Sequence, residues 1–189
     1  MKKYFLALLM MTAAFANAQT KENKPKFSIG AEADVLPYIT GGYYGSVWAS
    51  KNHFRYRAVI TNVTTPEFML KDGFTNNKMM VYAALIDYFF KPTTEKWWIG
   101  SGFEYWDAEI QTSQKISTIK YNNTMFTVGG GYVWKFYKNF YLNPWAAAHV
   151  RIAGDKSVMV DGKKFEPSLF IPEASLKVGW YFNTKKIKP

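Results

Sequence analysis

From residue 27 onward apolar and polar positions alternate, and eight stretches carry the period of two that marks a strand with unlike faces. In residues 27–36, Phe27, Ile29, Ala31, Ala33 and Val35 share one face; Ser28, Gly30, Glu32 and Asp34 share the other. Residues 43–50 alternate less cleanly, and after Lys51-Asn52 residues 53–63 set Phe54, Tyr56, Ala58 and Ile60 against Arg55, Arg57, Val59 and Thr61. The next two stretches are 79–90, where Tyr82, Ala84, Ile86 and Tyr88 oppose a face with Asp87, and 97–106, where Ile99, Phe103 and Tyr105 oppose Gly100, Gly102 and Glu104. Residues 124–136, 140–153 and 170–182 complete the set: Phe126, Val128 and Trp134 oppose Thr127 and Gly129, Leu142, Ala146 and Val150 oppose Asn143, His149 and Arg151, and Leu176, Val178 and Trp180 oppose Glu173, Ser175 and Lys177.

The connectors alternate in length. Lys51-Asn52, 91–96 and 137–139 are short, whereas 64–78, 107–123 and 154–169 are long and 37–42 is intermediate. Eight antiparallel strands with short turns at one end and long loops at the other predict an up-and-down barrel. Periodicity alone leaves open whether the charged face meets water, as in a soluble lipocalin-like carrier, or lines the interior of a membrane barrel. The rings favour the second arrangement. Tyr43-Tyr44, Tyr88-Phe89-Phe90, Trp97-Trp98, Tyr105-Trp106, Phe140-Tyr141 and Trp180-Tyr181-Phe182 gather near strand ends, where amphipathic side chains sit at a bilayer interface.

Composition sharpens this reading. No cysteine is present, which removes disulfides, zinc-thiolate sites, iron–sulfur clusters and cysteine nucleophiles, and two histidines, His53 and His149, leave little for a histidine-rich metal site. No cofactor is expected. A net charge of +10 fits nucleic acid, an anionic membrane face or simple solubility equally well. The first residues decide between them: Met1-Lys2-Lys3, an apolar run and Ala16-Asn17-Ala18 predict a secretory leader over 1–18, followed by a polar lead over 19–26, the barrel over 27–182 and a basic tail over 183–189. An exported chain is not expected to meet nucleic acid.

On these residues the chain resembles the small eight-stranded outer-membrane β-barrels of Gram-negative bacteria, the OmpA/OmpX type. Its Ala-Asn-Ala-Gln processing site and Lys/Asn/Tyr-rich composition also resemble outer-membrane proteins of Bacteroidota. Lys177-Val178-Gly179-Trp180-Tyr181-Phe182 resembles the C-terminal strand signal presented to the barrel assembly machinery, with Lys177, Gly179, Trp180 and Phe182 as its elements, although seven further residues follow it. The resemblance implies an outer-membrane protein with short periplasmic turns and longer extracellular loops, whose partners are outer-membrane lipids and that machinery.

An eight-stranded barrel is filled by its own side chains. Glu32 and Asp34 are expected to face Arg55 and Arg57 across the interior, with Arg151 and Lys177 meeting Glu104 or Glu173, and with Asp87 and His149 in the same charged network. This predicts a non-enzymatic envelope or surface-interaction protein with a plugged interior. The enzymatic alternative is a lipid-A or phospholipid acyl hydrolase or transferase using His149, with Ser175 as the neighbour that barrel closure would have to supply; the His-x-Ser pattern of the deacylase type is absent, since Arg151 stands there. Gly129-Gly130-Gly131 fails as a phosphate loop, because no Lys-Ser pair or helix follows. Surface binding is expected in the long loops, through Phe68, Met69, Phe74, Tyr121 and Phe165, unless these residues pack over the mouth.

Overall fold

The charged faces of the eight stretches turn inward and the apolar faces turn outward. The computed structural model describes residues 27–183; the expected leader, the polar lead and all but the first residue of the tail lie outside them. The strands are β1 (Phe27–Asp34), β2 (Tyr43–Lys51), β3 (Phe54–Thr64), β4 (Phe74–Phe89), β5 (Lys96–Thr112), β6 (Thr118–Tyr137) and β7 (Phe140–Gly154). A small hairpin of β8 (Val158–Val160) and β9 (Lys163–Phe165) precedes β10 (Phe170–Asn183). All pairings are antiparallel, and the order β1-β2-β3-β4-β5-β6-β7-β10 closes on itself through β1 and β10.

Outside, Val47, Tyr56, Tyr82, Ile86, Ile99, Phe103, Val128, Trp134, Ile152 and Trp180 are exposed. Inside, Glu32, Asp34, Arg55, Asp87 and Lys177 are 3% exposed or less. A soluble barrel needs the reverse, so the lipocalin-like alternative loses its greasy cavity. Apolar walls around a polar interior suit hydrocarbon.

Three elements differ from the sequence expectation. Residues 107–123 are mostly strand: Asp107 to Gln111 on β5 pair with Thr118 to Asn122 on β6, which leaves a connector of only 113–117. The inward alternation Trp106, Ala108, Ile110, Thr112 continues there, hidden by the charged residues between. β4 likewise starts at Phe74, with a bulge between Thr75 and Lys78 where Asn76 takes φ 52°. Finally, the first strand stops at Asp34. Its carboxylate accepts from the Leu36 amide at 3.1 Å, capping a short helix, α1 (Val35–Ile39), and Pro37 could not have donated to a sheet.

Inward glycines make room for the interior. A Cβ on Gly100 would overlap the Asp87 carboxylate, and one on Gly179 would overlap the Tyr141 ring, so both positions admit hydrogen alone. Gly100→Val is expected to destabilise the barrel by about 1–3 kcal/mol. Ser101→Val, one residue along on the outer wall, should stay within about 0.5 kcal/mol. Equilibrium urea unfolding in lipid vesicles separates the two, and equal effects would contradict this packing.

Candidate functional site

The site is the barrel interior, and its centre is Asp87 on β4. Its Oδ2 accepts from Arg55 Nε at 2.7 Å and from Arg57 Nε at 2.8 Å, while Oδ1 accepts from Arg57 Nη2 at 2.9 Å. Residues two apart on a strand point the same way, so Arg55 and Arg57 on β3 stack along one face directly beside it. Arg55 Nη1 then reaches Glu32 Oε1 on β1 at 2.9 Å, and Arg57 Nη1 stands 3.8 Å from Glu32 Oε2. Glu32 Oε1 also accepts from Tyr141 Oη at 2.9 Å and Asn143 Nδ2 at 3.1 Å, both on β7. Bonds from β1, β3, β4 and β7 thus converge across the lumen.

Aromatic rings line the same level and the level toward the short turns. The Arg55 guanidinium lies 5.0 Å from the centroid of Phe89, 5.4 Å from Trp98 and 5.8 Å from Trp48. Trp48 Nε1 donates to Tyr141 Oη at 2.8 Å and Trp98 Nε1 to Asn143 Oδ1 at 2.9 Å, so each buried indole has a polar partner. With Val133 and Tyr181 these rings form an apolar layer beneath the ions.

Asp34 and Lys177 behave differently from the expectation. Asp34 does not meet an arginine: its carboxylate accepts from Ser175 Oγ and, at 2.8 Å, from Trp145 Nε1. Lys177, 2% exposed, makes no ion pair with Glu104 or Glu173; its Nζ sits 3.5 Å from the centroid of Trp145, a cation–π contact on the neighbouring strand. Periodicity put both residues on the inner face. It carries no information about which level of the lumen each reaches, and Lys177 pairs with Asn143 in register while Glu173 pairs with Ala147, further toward the mouth.

Higher in the lumen, His149 stands between two carboxylates, with Nδ1 3.3 Å from Glu104 Oε2 and Nε2 3.1 Å from Glu173 Oε2. Thr127 Oγ1 is 2.9 Å from Nδ1, and Trp106 Nε1 donates to Glu104 at 2.8 Å. Ser175 is bound to Asp34 and pairs in register with Trp145, whereas the register partner of His149 is Ile171; the serine is not the hydroxyl at this ring. Arg151 leaves the network altogether, donating from Nη1 to the carbonyls of Asp155 at 2.9 Å and Pro167 at 3.1 Å in the loop above. His53 faces Phe89 O at 2.7 Å beside its turn. Among the described residues no group of three or more His, Asp or Glu is placed to hold a metal ion.

Above the ions, the mouth is apolar. Phe74, Met79, Ile110, Tyr121, Met125, Val160 and Phe165 belong to one buried cluster, with the Phe165 ring centroid 5.0 Å from Phe74 and 5.6 Å from Tyr121. Phe74, Tyr121 and Phe165 are therefore interior packing, a correction to their expected role in surface binding; Phe68 and Met69 remain exposed at 87% and 62%. The β8–β9 hairpin brings Phe165 there. Its turn is Asp161-Gly162 with φ 47° and 77°, the pair of positive φ values a two-residue hairpin requires, and the Asp-Gly dipeptide was the sequence signal for it. The Asp161 carboxylate accepts from Ser117 and Thr112, which fasten this hairpin to the β5–β6 tip.

The fold has known counterparts. The structure superposes on that of Neisserial surface protein A with a TM-score of 0.54 and on that of a major outer membrane protein from Thermus thermophilus with 0.55. Each is 14% identical, and each match spans 85% of this chain and 100% of the other. No protein-family model and no curated protein matches the chain. The class is thereby set: a closed eight-stranded antiparallel barrel of the architecture seen in small outer-membrane proteins.

Two outcomes test the geometry. Arg55→Met leaves Glu32 without its closest cation in a site sealed from water, and is expected to cost about 3–5 kcal/mol in vesicle unfolding. Adding Glu32→Gln should recover part of that loss, and a strictly additive double variant would show that the two side chains do not interact. At the mouth, hydrogen bonds from Ser117 and then Thr112 hold the Asp161 carboxyl below its ordinary value. A depressed carboxyl stabilises above its free value and loses that effect as pH falls through its folded value. Asp161→Asn should thus raise hydrogen exchange in β8 and β9 at pH 7, and the difference from wild type should begin to shrink only as pH drops below about 3.9, disappearing once pH has passed the lower folded value.

Proposed function

We propose that this chain is a non-enzymatic outer-membrane protein that seals its own lumen and presents its long-loop end to the surroundings. The observation that carries this reading is the inverted barrel: guanidinium groups and carboxylates paired at the centre, apolar layers above and below them, and an outer wall of aromatic and aliphatic side chains. Balanced signs at the centre, with Arg55, Arg57 and Lys177 against Glu32, Asp34 and Asp87, support a plug rather than a path for ions of one sign. The paired strands β4, β5 and β6 continue beyond the apolar belt on the long-loop side, and Phe68, Met69, Ile116 and Met159 stand exposed on connectors and on β8, which supports contact with a surface partner.

Outer-membrane lipids are the partners of the wall, and the barrel assembly machinery is the partner of the last strand. In β10, Trp180 and Phe182 point outward where a receptor can read them, while Lys177 and Gly179 face the lumen. An acyl hydrolase or transferase built on His149 draws no support from the geometry, because its ring contacts two carboxylates and a buried threonine instead of a serine open to lipid.

Fractionation of the envelope tests the reading directly. The mature chain should pellet with the outer membrane and migrate faster on SDS gels unheated than boiled; recovery in the soluble periplasmic fraction would overturn it. In planar bilayers the purified protein should show no discrete conductance steps, whereas stable openings would remove the plug. Lipid A from a deletion strain should match that of the parent.

A further inference from the structure

At the short-turn end the barrel has a floor. Tyr181 on β10 donates from Oη to the carbonyl of Thr94 at 2.8 Å, and the turn that holds Thr94 joins β4 to β5 on the opposite wall of the ring, so this turn lies across the end of the lumen. Lys135 sits on the same floor, its Nζ 5.1 Å from the centroid of the Tyr181 ring. Lys96 and Lys138 cover the rings of Tyr132 and Tyr137 in the same way, at 5.5 and 5.1 Å. With Lys51 and Lys91, five lysines stand at this end against one carboxylate, Glu95; Lys135 is half-buried and the other four lysines are exposed. Among the described residues none of the five makes an ion pair. The other end is balanced, with seven lysines and seven carboxylates in 64–78, 107–123 and 154–169. Chain also joins the ring at the floor on both sides, through Phe27 and Asn183, and the adjoining residues 19–26 and 184–189 add six lysines and one glutamate. Without the leader's Lys2 and Lys3 the formal charge is +8, so the floor and its two flanking segments carry all of the excess.

We propose that this floor docks the barrel on a carboxylate-bearing polymer of the periplasm, the peptide-crosslinked glycan of the cell wall. The place of the charges sets lipid aside: lipid reaches the wall of a barrel, whereas a plate laid across the lumen faces the water beyond the headgroups. Their kind sets aside a small anion and a folded protein. The chain's three arginines, Arg55, Arg57 and Arg151, lie in the lumen or in the loop above it, so no rigid fork waits here for a single phosphate or carboxylate. Lysine is depleted in the cores of protein interfaces. What suits many separate, hydrated ammonium groups is a flexible polyanion that meets several of them at once. Each contact is then weak and screened by salt, and the attachment comes from their number.

This inference rests on the outer-membrane reading with the short turns on the periplasmic side, and the experiment keeps the two apart. The full mature chain, in an uncharged detergent and verified as folded by its heat-dependent gel migration, is sedimented with purified cell-wall sacculi and, separately, with phosphatidylcholine vesicles containing phosphatidylglycerol. It should pellet with sacculi at about 50 mM salt and be released at about 0.5 M. Sacculi whose carboxylates have been converted to methylamides should not hold it. Replacing Lys91, Lys96, Lys135 and Lys138 by Gln should weaken binding at least about tenfold. The same four-charge change at the other end, with Lys115, Lys120, Lys156 and Lys163 replaced by Gln, should leave it unchanged, which separates a local plate from net charge. Lys51→Gln with Lys138→Gln, at two exposed turn positions, should already weaken binding and serves if the fourfold floor variant does not fold. No binding to sacculi, equal retention by the methylamide form, equal loss in the two fourfold variants, or tighter binding to the anionic vesicles overturns the docking plate while leaving the barrel reading intact. A chain that fractionates as a soluble periplasmic protein overturns both.

Discussion

One carboxylate, that of Asp87, holds two guanidinium groups in the middle of a closed sheet, and the surrounding wall is arranged so that it can. Ions removed from water are costly unless each finds partners of good geometry. Here Arg57 meets Asp87 side by side, Arg55 bridges Asp87 to Glu32, and Tyr141 and Asn143 take up the remaining capacity of Glu32 Oε1. The donors and acceptors come from β1, β3, β4 and β7, so the cluster exists only when the ring is closed. Gly100 next to the carboxylate has no side chain because any Cβ would occupy the space of Asp87. Closure thus lets the charges pair, and the paired charges join strands that are not neighbours in the sheet.

The interior is layered along the barrel axis, and each layer stabilises the next by a different means. At the short-turn end, rings pack on one another and on the underside of Arg55, with the indole N–H groups bonded to Tyr141 and Asn143. The central layer is ionic. The next holds His149 between Glu104 and Glu173, and the mouth is a hydrocarbon cluster of Phe74, Ile110, Tyr121 and Phe165. The mouth layer depends on chain outside the barrel proper, since Phe165 is delivered by the β8–β9 hairpin and Arg151 ties that loop through the carbonyls of Asp155 and Pro167.

What could be read from the sequence follows from what a period of two encodes. It fixes the face of every residue, so the eight strands, the inward Glu32, Arg55, Arg57, Asp87, Glu104 and His149, and the outward aromatic belt were all legible. It does not fix height. Partners on opposite walls depend on strand tilt and on the stagger accumulated around the ring, which is why Arg151, expected among the carboxylates, ends in the loop above them and Lys177 lies on Trp145. Alternation was also missed where charges supplied the polar half: Asp107, Glu109 and Gln111 disguised the far end of β5 as loop. The apolar half of that segment, Ala108 and Ile110, carried the strand signal, just as Asp161-Gly162 carried the hairpin that turns Phe165 inward.

The closure itself is uneven, and the sequence shows how the weak stretch is tolerated. β1 ends at Asp34, opposite Lys177, so residues 170–176 of β10 pair with β7 alone. The Arg151 amide bonds Leu169 O and the Tyr181 amide bonds Asn139 O, which places the odd-numbered residues of β10 in hydrogen-bonded pairs with β7 and aims the amides and carbonyls of 170, 172, 174 and 176 toward the gap. Position 172 is proline, which removes one of those donors at the place where a missing N–H does no harm. Backbone left open to hydrocarbon costs several kcal/mol per group, and α1 stands on this side of the ring. It is capped by Asp34, its Pro37 carbonyl accepts from the Gly42 amide, and Tyr38 Oη donates to the carbonyl of Tyr44 on the exposed edge of β2 at 2.8 Å. With Tyr38 and Ile39 turned outward, the helix also carries the apolar belt across the interval that β1 leaves. The same Asp34 that ends the strand binds Ser175 and Trp145 on the far side of the gap, so the residue that breaks the ladder is the one that ties its two sides together.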